Sequence, residues 1–305
     1  MEERITVTVK LDDFIKELNL KVLYEGRGEM PLNNISVCRP GLLLAGWTDY
    51  FDATRIQILG NAEYEYLKKC GKAERKTNLK RLFSYQVPCV IISRDLPLMP
   101  ELLEYAEKSL CPVLRSEKIT AFLENDLIMY LNKTLAPKTT VHGVLLDVYG
   151  VGTLLIGDSG IGKSESALEL VKNGHRLVAD DAVIIKNISN TLIGTAPDMI
   201  RYFMELRGIG IVDIRSMYGT GSVLLEKEIE LVLELEKWEE GKSYERLGDV
   251  NSEHTILGIT KPKIIIPVRT GRNISIIIEV AARNYRLKSM GYDAAMELIN
   301  KSGLS

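Results

Sequence analysis

No apolar run in the sequence approaches the roughly 20 residues needed to span a bilayer, so no transmembrane helix is expected. Cysteine is scarce: Cys38, Cys70, Cys89 and Cys111 are the whole complement, and all fall in the first part of the chain. Their spacings fit no zinc-ligand or CxxC pattern. That argues for reduced, mostly buried thiols in a cytoplasmic protein. An excess of one charge is also missing. With 39 basic and 41 acidic residues the net charge is −2, which gives no general attraction to DNA, RNA or an anionic membrane. The opening MEERITVTVK starts acidic and lacks the apolar stretch of a signal peptide. Repeats and low-complexity tracts are absent as well.

What is present is an ordinary globular composition, 46 % hydrophobic and 26 % charged, in 305 residues. That length suits two domains with a sizeable core each. The first half alternates strand and helix signals: a strand over 5–9, a helix over 12–18, a buried strand over 87–93, a helix from Pro100 to about 109, a short strand over 111–114 and an amphipathic helix over 117–131. Such alternation predicts an α/β layer domain, 1–133, and nothing in it carries recognisable chemistry. The polar segment NKTLAPKTT, with Pro137, marks a boundary. The second domain, 134–305, opens on paired strand signals, HGVLLDVYG and VGTLLIG, joined at Gly150. DAVIIKNI, TLIGTA, EIELVLELE and KIIIPV add further strands, and helical stretches over 274–289 and 294–301 close the chain.

The sharpest signal is GDSGIGKS, residues 157–164, which satisfies GxxxxGK[ST]. Gly157, Gly160 and Gly162 let the backbone wrap a phosphate without Cβ clashes. The successive N–H groups of Asp158, Ser159, Gly160, Ile161 and Gly162 can then face one anion. Lys163 brings a mobile positive charge to the β- and γ-phosphates, and Ser164 a hydroxyl ligand for Mg²⁺. The setting fits: an apolar strand candidate precedes the loop, and a helical pattern follows, ending at Gly174.

Asp180 and Asp181 follow a short apolar stretch and should lie at a strand end, facing the loop if the two strands are neighbours. They read either as metal or proton acceptors or as a solvated turn. MELRGIGIVDIRSMYG sets Glu205 and Arg207 beside Gly208 and Gly210. It reads either as close backbone approach to a ligand or as a helix-entry turn with a surface ion pair. His142 sits in a strand candidate, where a lone histidine is more often structural. Arg269 and Arg272, in PVRTGRN before a helix, suit an anion site or a solvated basic turn. Arg283, Arg286 and Lys288, with Met290 and Tyr292, form a mixed basic and apolar surface able to dock a small protein, or a helix with a solvated face.

Taken together, HGVLLDVYGVGTLLIGDSGIGKSESALELVKNGHRLVADDAV, ELRGIGIVDIRSMYG and PVRTGRN resemble the bifunctional HPr kinase/phosphorylase family. ELRGIGI is nearly private to that family. The resemblance implies a P-loop kinase domain whose nucleotide-binding core is like that of phosphoenolpyruvate carboxykinase. It implies phosphorylation of a serine of the phosphocarrier HPr with ATP or pyrophosphate, with Mg²⁺. It also implies removal of that phosphate by phosphorolysis, assembly as a hexamer and control of carbon catabolite repression. By position, His142 and Lys163 match phosphate-contacting residues, and Asp181 the general base of phosphorylation and acid of the reverse step. Ser164 and Glu205 match the magnesium ligands, and Arg246 a catalytic arginine. Residues 205–213 match a segment needed for both reactions, and 267–272 a segment associated with dephosphorylation. Where the family has proline between arginine and glycine, this chain has Thr270. That departure bears on the phosphorylase reaction and leaves the kinase loop untouched. Two other readings of the same loop are a small-molecule kinase and a nucleotide-gated oligomeric regulator. A GTP switch is disfavoured, because no guanine-reading NKxD follows the loop.

Overall fold

The computed structural model describes residues 7–240, 242, 252–269, 271–294 and 297. Arg246 and Thr270 lie outside the described residues, as does most of the helical stretch expected over 294–301. The chain falls into two compact units, Met1–Ala136 and Pro137–Ser305.

In the first unit β1 (Val7–Lys10) leads directly into α1 (Leu11–Leu18), which stops at Asn19 in a left-handed conformation (φ 51°). β2 (Lys21–Tyr24) and β3 (Glu29–Leu32) follow, and β3 pairs antiparallel with β1. Then come β4 (Val37–Cys38), α2 (Gly41–Leu44), β5 (Ile56–Leu59), α3 (Asn61–Lys69), α4 (Lys72–Ser84), β6 (Val90–Ile92), α5 (Pro100–Ser109), β7 (Val113–Arg115) and α6 (Thr120–Thr134). The sheet runs β2-β7-β6-β5-β4, with β4 to β7 parallel and β2 antiparallel. Alternate residues feed two cores: Ile56, Ile58, Ile91 and Leu114 join one, and Leu59, Val90, Ile92 and Val113 the other. Burial on both faces is why these strands read as short unbroken apolar runs. The α/β layer expected over the first half is present. α3 and α4 were not legible, because their charged runs hide a narrow apolar stripe. All four cysteines are free thiols; Cys70, Cys89 and Cys111 are buried and Cys38 is half-buried.

The second unit begins with β8 (Lys138–His142), β9 (Val144–Val148) and β10 (Val151–Gly157). β9 and β10 form a hairpin whose two turn residues, Tyr149 (φ 54°) and Gly150 (φ 86°), are both left-handed, the signature of a type I′ turn. α7 (Lys163–Lys172), β11 (Arg176–Ala179), β12 (Ala182–Ile188) and β13 (Thr191–Thr195) follow. A second hairpin, β14 (Phe203–Leu206) and β15 (Gly210–Asp213), leads into α8 (Ile214–Tyr218). The remaining elements are β16 (Glu226–Glu228), β17 (Leu231–Lys237), β18 (Ser252–Ile256), β19 (Ile259–Val268) and α9 (Ile274–Ser289). The Asn273 side chain caps α9 by accepting from the Ile276 N–H.

The main sheet of this unit runs β11-β9-β10-β17-β19-β18, and a second sheet runs β16-β13-β12-β8. One face of the main sheet packs Leu146, Leu155 and Leu233 against Leu170 of α7 and Ile278 of α9. The other packs Leu145, Leu154 and Val232 against Val183, Ile185 and Leu192 of the second sheet. Helices, sheet and sheet thus make three layers, a mixed α/β unit. No described helix is long and apolar enough to cross a membrane.

Candidate functional site

The site gathers at one edge of the main sheet, and strand direction explains why. β10 is antiparallel to β9, and β9 to β11. The end of β10, the start of β9 and the end of β11 therefore share an edge. The loop 158–162 leaves β10 there, His142 stands just before β9, and Asp180 and Asp181 follow β11. The acidic pair was expected to face the loop through neighbouring strands. It does face the loop, but with β9 between the two strands.

Gly157 (φ 139°), Gly160 (φ 80°) and Gly162 (φ 103°) all have positive φ, a conformation that other residues rarely adopt. A Cβ on Gly157 would also stand 2.3 Å from the Leu235 carbonyl oxygen. Ile161 anchors the loop in the core. Lys163 Nζ donates to the carbonyl oxygens of Gly157 (2.8 Å) and Asp158 (2.9 Å). Its burial lowers the ammonium pKa, and nearby Asp180, Asp158 and Asp181 oppose that shift.

Ser164, on the first turn of α7, donates its hydroxyl to Asp180 Oδ1 at 2.8 Å. Asp180 Oδ2 faces the Glu205 N–H at 3.3 Å, so one buried carboxylate ties the helix start to the β14–β15 hairpin. Burial pushes the Asp180 pKa up; the bonds from Ser164 and the Glu205 N–H pull against it. Asp181 is left-handed (φ 66°) and exposed. His142 Nδ1 lies 3.0 Å from Asp181 Oδ1 and 3.0 Å from its carbonyl oxygen. Both partners are acceptors, which assigns the proton to Nδ1. Arg207, near the hairpin tip, lies across Gly160, where a Cβ would meet its guanidinium at 2.5 Å, and reaches Ser159 Oγ at 3.4 Å.

These groups line a cavity of about 120 Å³, with His142, Lys163, Ser164, Asp181, Glu205 and Arg207 all on its wall. The ELRGIGI segment is thus a hairpin that brings Glu205 and Arg207 to the cavity wall, and the helix entry comes just after it, at Asp213 and α8. Arg269 and Arg272 are not among the described residues lining the cavity: Arg269 lies over the Trp238 ring (5.8 Å) and Arg272 donates to the Pro267 carbonyl (3.3 Å). Their turn follows β19, which runs parallel to β17 and so to β10, placing it at the same sheet edge. Asp180 was singled out only as half of an acidic pair. Its burial and its bond to Ser164 set it apart, and the local sequence could not show either.

No group of three or more His, Cys, Asp or Glu among the described residues could hold a metal by itself. The oxygen donors Ser164, Asp180 and Glu205 nevertheless fit Mg²⁺. That ion takes one or two carboxylates and completes its shell with water and substrate phosphates.

Two family models match the chain: "HPr Serine kinase N terminus" over residues 9–131 and "HPr Serine kinase C-terminal domain" over residues 133–302. The HPr kinase/phosphorylase of Peptoclostridium acidaminophilum is 47 % identical over 289 residues, 94 % of each chain. That of Caldicellulosiruptor bescii is 48 % identical, covering 94 % of this chain and 93 % of its own. The structure of the Hpr(Ser) kinase/phosphatase from Coxiella burnetii covers 52 % of this chain and 98 % of its own, at 37 % identity and a TM-score of 0.48. The chain belongs to the HPr kinase/phosphorylase family and is a kinase/phosphorylase enzyme.

Proposed function

We propose that this enzyme phosphorylates a serine of HPr with ATP or pyrophosphate, and reverses the reaction by phosphorolysis with inorganic phosphate, releasing pyrophosphate. What supports this is one convergence: an ammonium, a hydroxyl on a buried carboxylate, and a histidine-held aspartate around a single cavity. Residues 134–305 would be the P-loop catalytic domain, with a nucleotide core like that of phosphoenolpyruvate carboxykinase, and 1–133 a separate domain. The protein would act in the cytoplasm as a homo-hexamer in carbon catabolite repression, with no nucleic acid or membrane partner.

In the forward direction the loop amides of 158–162 and Lys163 hold the donor phosphates. Lys163 exchanges its two loop carbonyls for phosphate oxygens, so its charge meets an anion without moving through water. When bound to Ser164, Asp180 and Glu205, Mg²⁺ supplies charge neutralisation on the transferred group. Asp181 accepts the proton of the acceptor serine while the serine Oγ–phosphorus bond forms and the bond to the leaving phosphate breaks. His142 positions Asp181 by donating from Nδ1 to its backbone carbonyl oxygen, with the carboxylate 3.0 Å away. Arg207 places a second cation beside the loop. In reverse, an oxygen of inorganic phosphate attacks the phosphorus of the phosphoserine, the serine Oγ–phosphorus bond breaks as Asp181 gives its proton to that oxygen, and the new P–O–P bond departs as pyrophosphate. Arg246 would serve as a further catalytic cation by its match to the family.

The test is transfer to purified HPr with ATP and Mg²⁺, followed by excess inorganic phosphate. Phosphoserine that forms and then disappears with pyrophosphate release is the expected result. Phosphoserine that forms and persists would remove the reverse reaction and point to Thr270. ATP binding without any phosphoserine would favour the small-molecule kinase or the nucleotide-gated regulator.

A further inference from the structure

Strand order divides the surroundings of the phosphate loop into two sides. On one side of β10 lie β9 and β11, with His142 just before β9 and Asp180 and Asp181 just after β11. On the other side lie β17 and β19, which run parallel to β10 and end at the same edge. Among the described residues, none from β17 or β19 lines the phosphate cavity. In an in-line transfer the attacking and leaving oxygens stand on opposite sides of the phosphorus. An acceptor whose proton goes to Asp181 therefore sends the leaving group, and whatever it carries, toward the ends of β17 and β19.

The residues change character there. Gly157, the last residue of β10, is paired with Leu235 of β17. Trp238 follows three residues later, about 10 Å farther along at the usual strand rise. It still belongs to the ladder, since its N–H donates to the Val268 carbonyl oxygen at 3.1 Å. Its indole takes no place in either hydrophobic core of this unit and is 44 % exposed. The Arg269 guanidinium lies over that ring, 5.8 Å from its centroid. An aromatic face and a cation thus stand past the phosphate loop, on the side away from the acceptor.

We propose that Trp238, with Arg269 beside it, is the platform on which the purine base of the phosphoryl donor stacks. The proposal rests on the reading of ATP as a donor. A nucleobase stacks well on an aromatic face, and needs no particular hydrogen-bond pattern to do so. The guanidinium adds a cation that favours the same ring faces. Pyrophosphate has no base, so it gains nothing from this platform and depends on residues 157–164 alone. A single phosphate loop can then serve both donors, with base recognition added separately at β17 and β19.

The experiment is calorimetric binding of ATP, inorganic triphosphate and pyrophosphate, each with Mg²⁺, to wild type, Trp238→Ala and Trp238→Phe. Circular dichroism checks folding, and transfer to HPr is measured in parallel. Trp238→Ala should weaken ATP binding about tenfold and leave triphosphate and pyrophosphate within about twofold of wild type. Trp238→Phe keeps an aromatic face and should retain most of the ATP affinity. Wild type should prefer ATP to triphosphate, and Trp238→Ala should erase that preference, the coupling expected of a base–ring contact. Unchanged ATP affinity in Trp238→Ala overturns the proposal. An equal loss for all three ligands also overturns it, because the tryptophan would then act through the phosphate loop. Absence of transfer by the wild-type enzyme would sink the kinase reading, while the binding comparison would still decide the platform.

Discussion

Both units of the chain send a parallel strand through glycine into a helix; among the described residues, the junction in the second unit lines a charged cavity and the one in the first is closed by its own side chains. In the first unit β5 ends at Gly60, which has an ordinary φ of −95° and begins α3. A Cβ there would stand 2.7 Å from Thr120 Oγ1. Its N–H is taken by Glu63 Oε2 at 3.0 Å, which Arg39 also contacts at 3.0 Å, and Ser93 and Thr120 bond each other at 2.9 Å. The Gly60 N–H, Glu63, Ser93 and Thr120 thus take their partners from the fold. In the second unit β10 ends at Gly157, and Gly162, left-handed, has nothing within 4 Å of where a Cβ would be. Glycine serves close packing in the first case and backbone conformation facing a ligand in the second. A strand–glycine–helix junction is therefore not a phosphate site until the loop is long enough to turn its amides inward and the neighbouring strand ends supply charge.

The strongest way to break this contrast is a pair of alanines. Lys163→Ala should lower phosphoryl transfer by about 10³-fold with the fold intact by circular dichroism. Glu63→Ala should instead cost about 2 kcal/mol of stability, since it strips a buried bond to charge, and leave turnover of the folded enzyme unchanged. If Glu63→Ala lost transfer at full stability, the first unit would hold part of the chemistry.

Asp180→Asn sharpens the contrast next. The folded pKa of Asp180 is raised, so its charge opposes folding at every pH above the unfolded value, and stability declines as pH rises through the folded value. Removing that charge should raise the melting temperature at neutral pH while lowering transfer about 10²-fold. A fall in both would make Asp180 a structural residue.

The first unit should also be chemically quiet. Burial drives the Cys89 thiol up and pushes Cys111 to about 12, and Cys38, half-buried, is raised less deeply in the same way. Iodoacetamide at pH 8, read by mass spectrometry, should label Cys38 first and reach Cys89 and Cys111 only after unfolding. The smallest effect belongs to Glu104, pulled down to about 2 by hydrogen bonds from Lys108 and Lys76. Its depressed pKa adds stability above its ordinary value of 4.5, which fades as pH falls toward 2. Glu104→Gln should flatten the acid limb of a pH–stability curve in that window, as followed by urea unfolding.

Much of the second unit was legible because strands such as β9, β10 and β19 are apolar-rich runs of 5–10 residues and its phosphate loop is a contiguous motif. The helix over 274–289 could be read from its period, and Asn273 marks its start. What could not be read was adjacency. Nothing local says that β9 sits between β10 and β11, or that β17 and β19 run parallel to β10. Asp180 and Asp181 look alike in sequence. Strand direction buries one against Ser164 and turns the other, left-handed, toward His142. In the same way, Ile211 is seen to share a hairpin face with Glu205 only once the β14–β15 register pairs them.

The two bonds from Lys163 to Gly157 and Asp158 have a mechanical side as well. They join the first residue of α7 to the last residue of β10, so the side chain acts as a fastener across the neck of the loop. A short segment pinned at both ends has little freedom left to lose. Truncating the lysine therefore loosens the loop at the same moment as it removes a charge, and arginine restores the charge without fitting the same neck. The kinetic loss in a Lys163 variant is then a sum of slackened shape and missing attraction. Comparing Lys163→Ala with Lys163→Arg by hydrogen exchange at residues 158–162 separates the two.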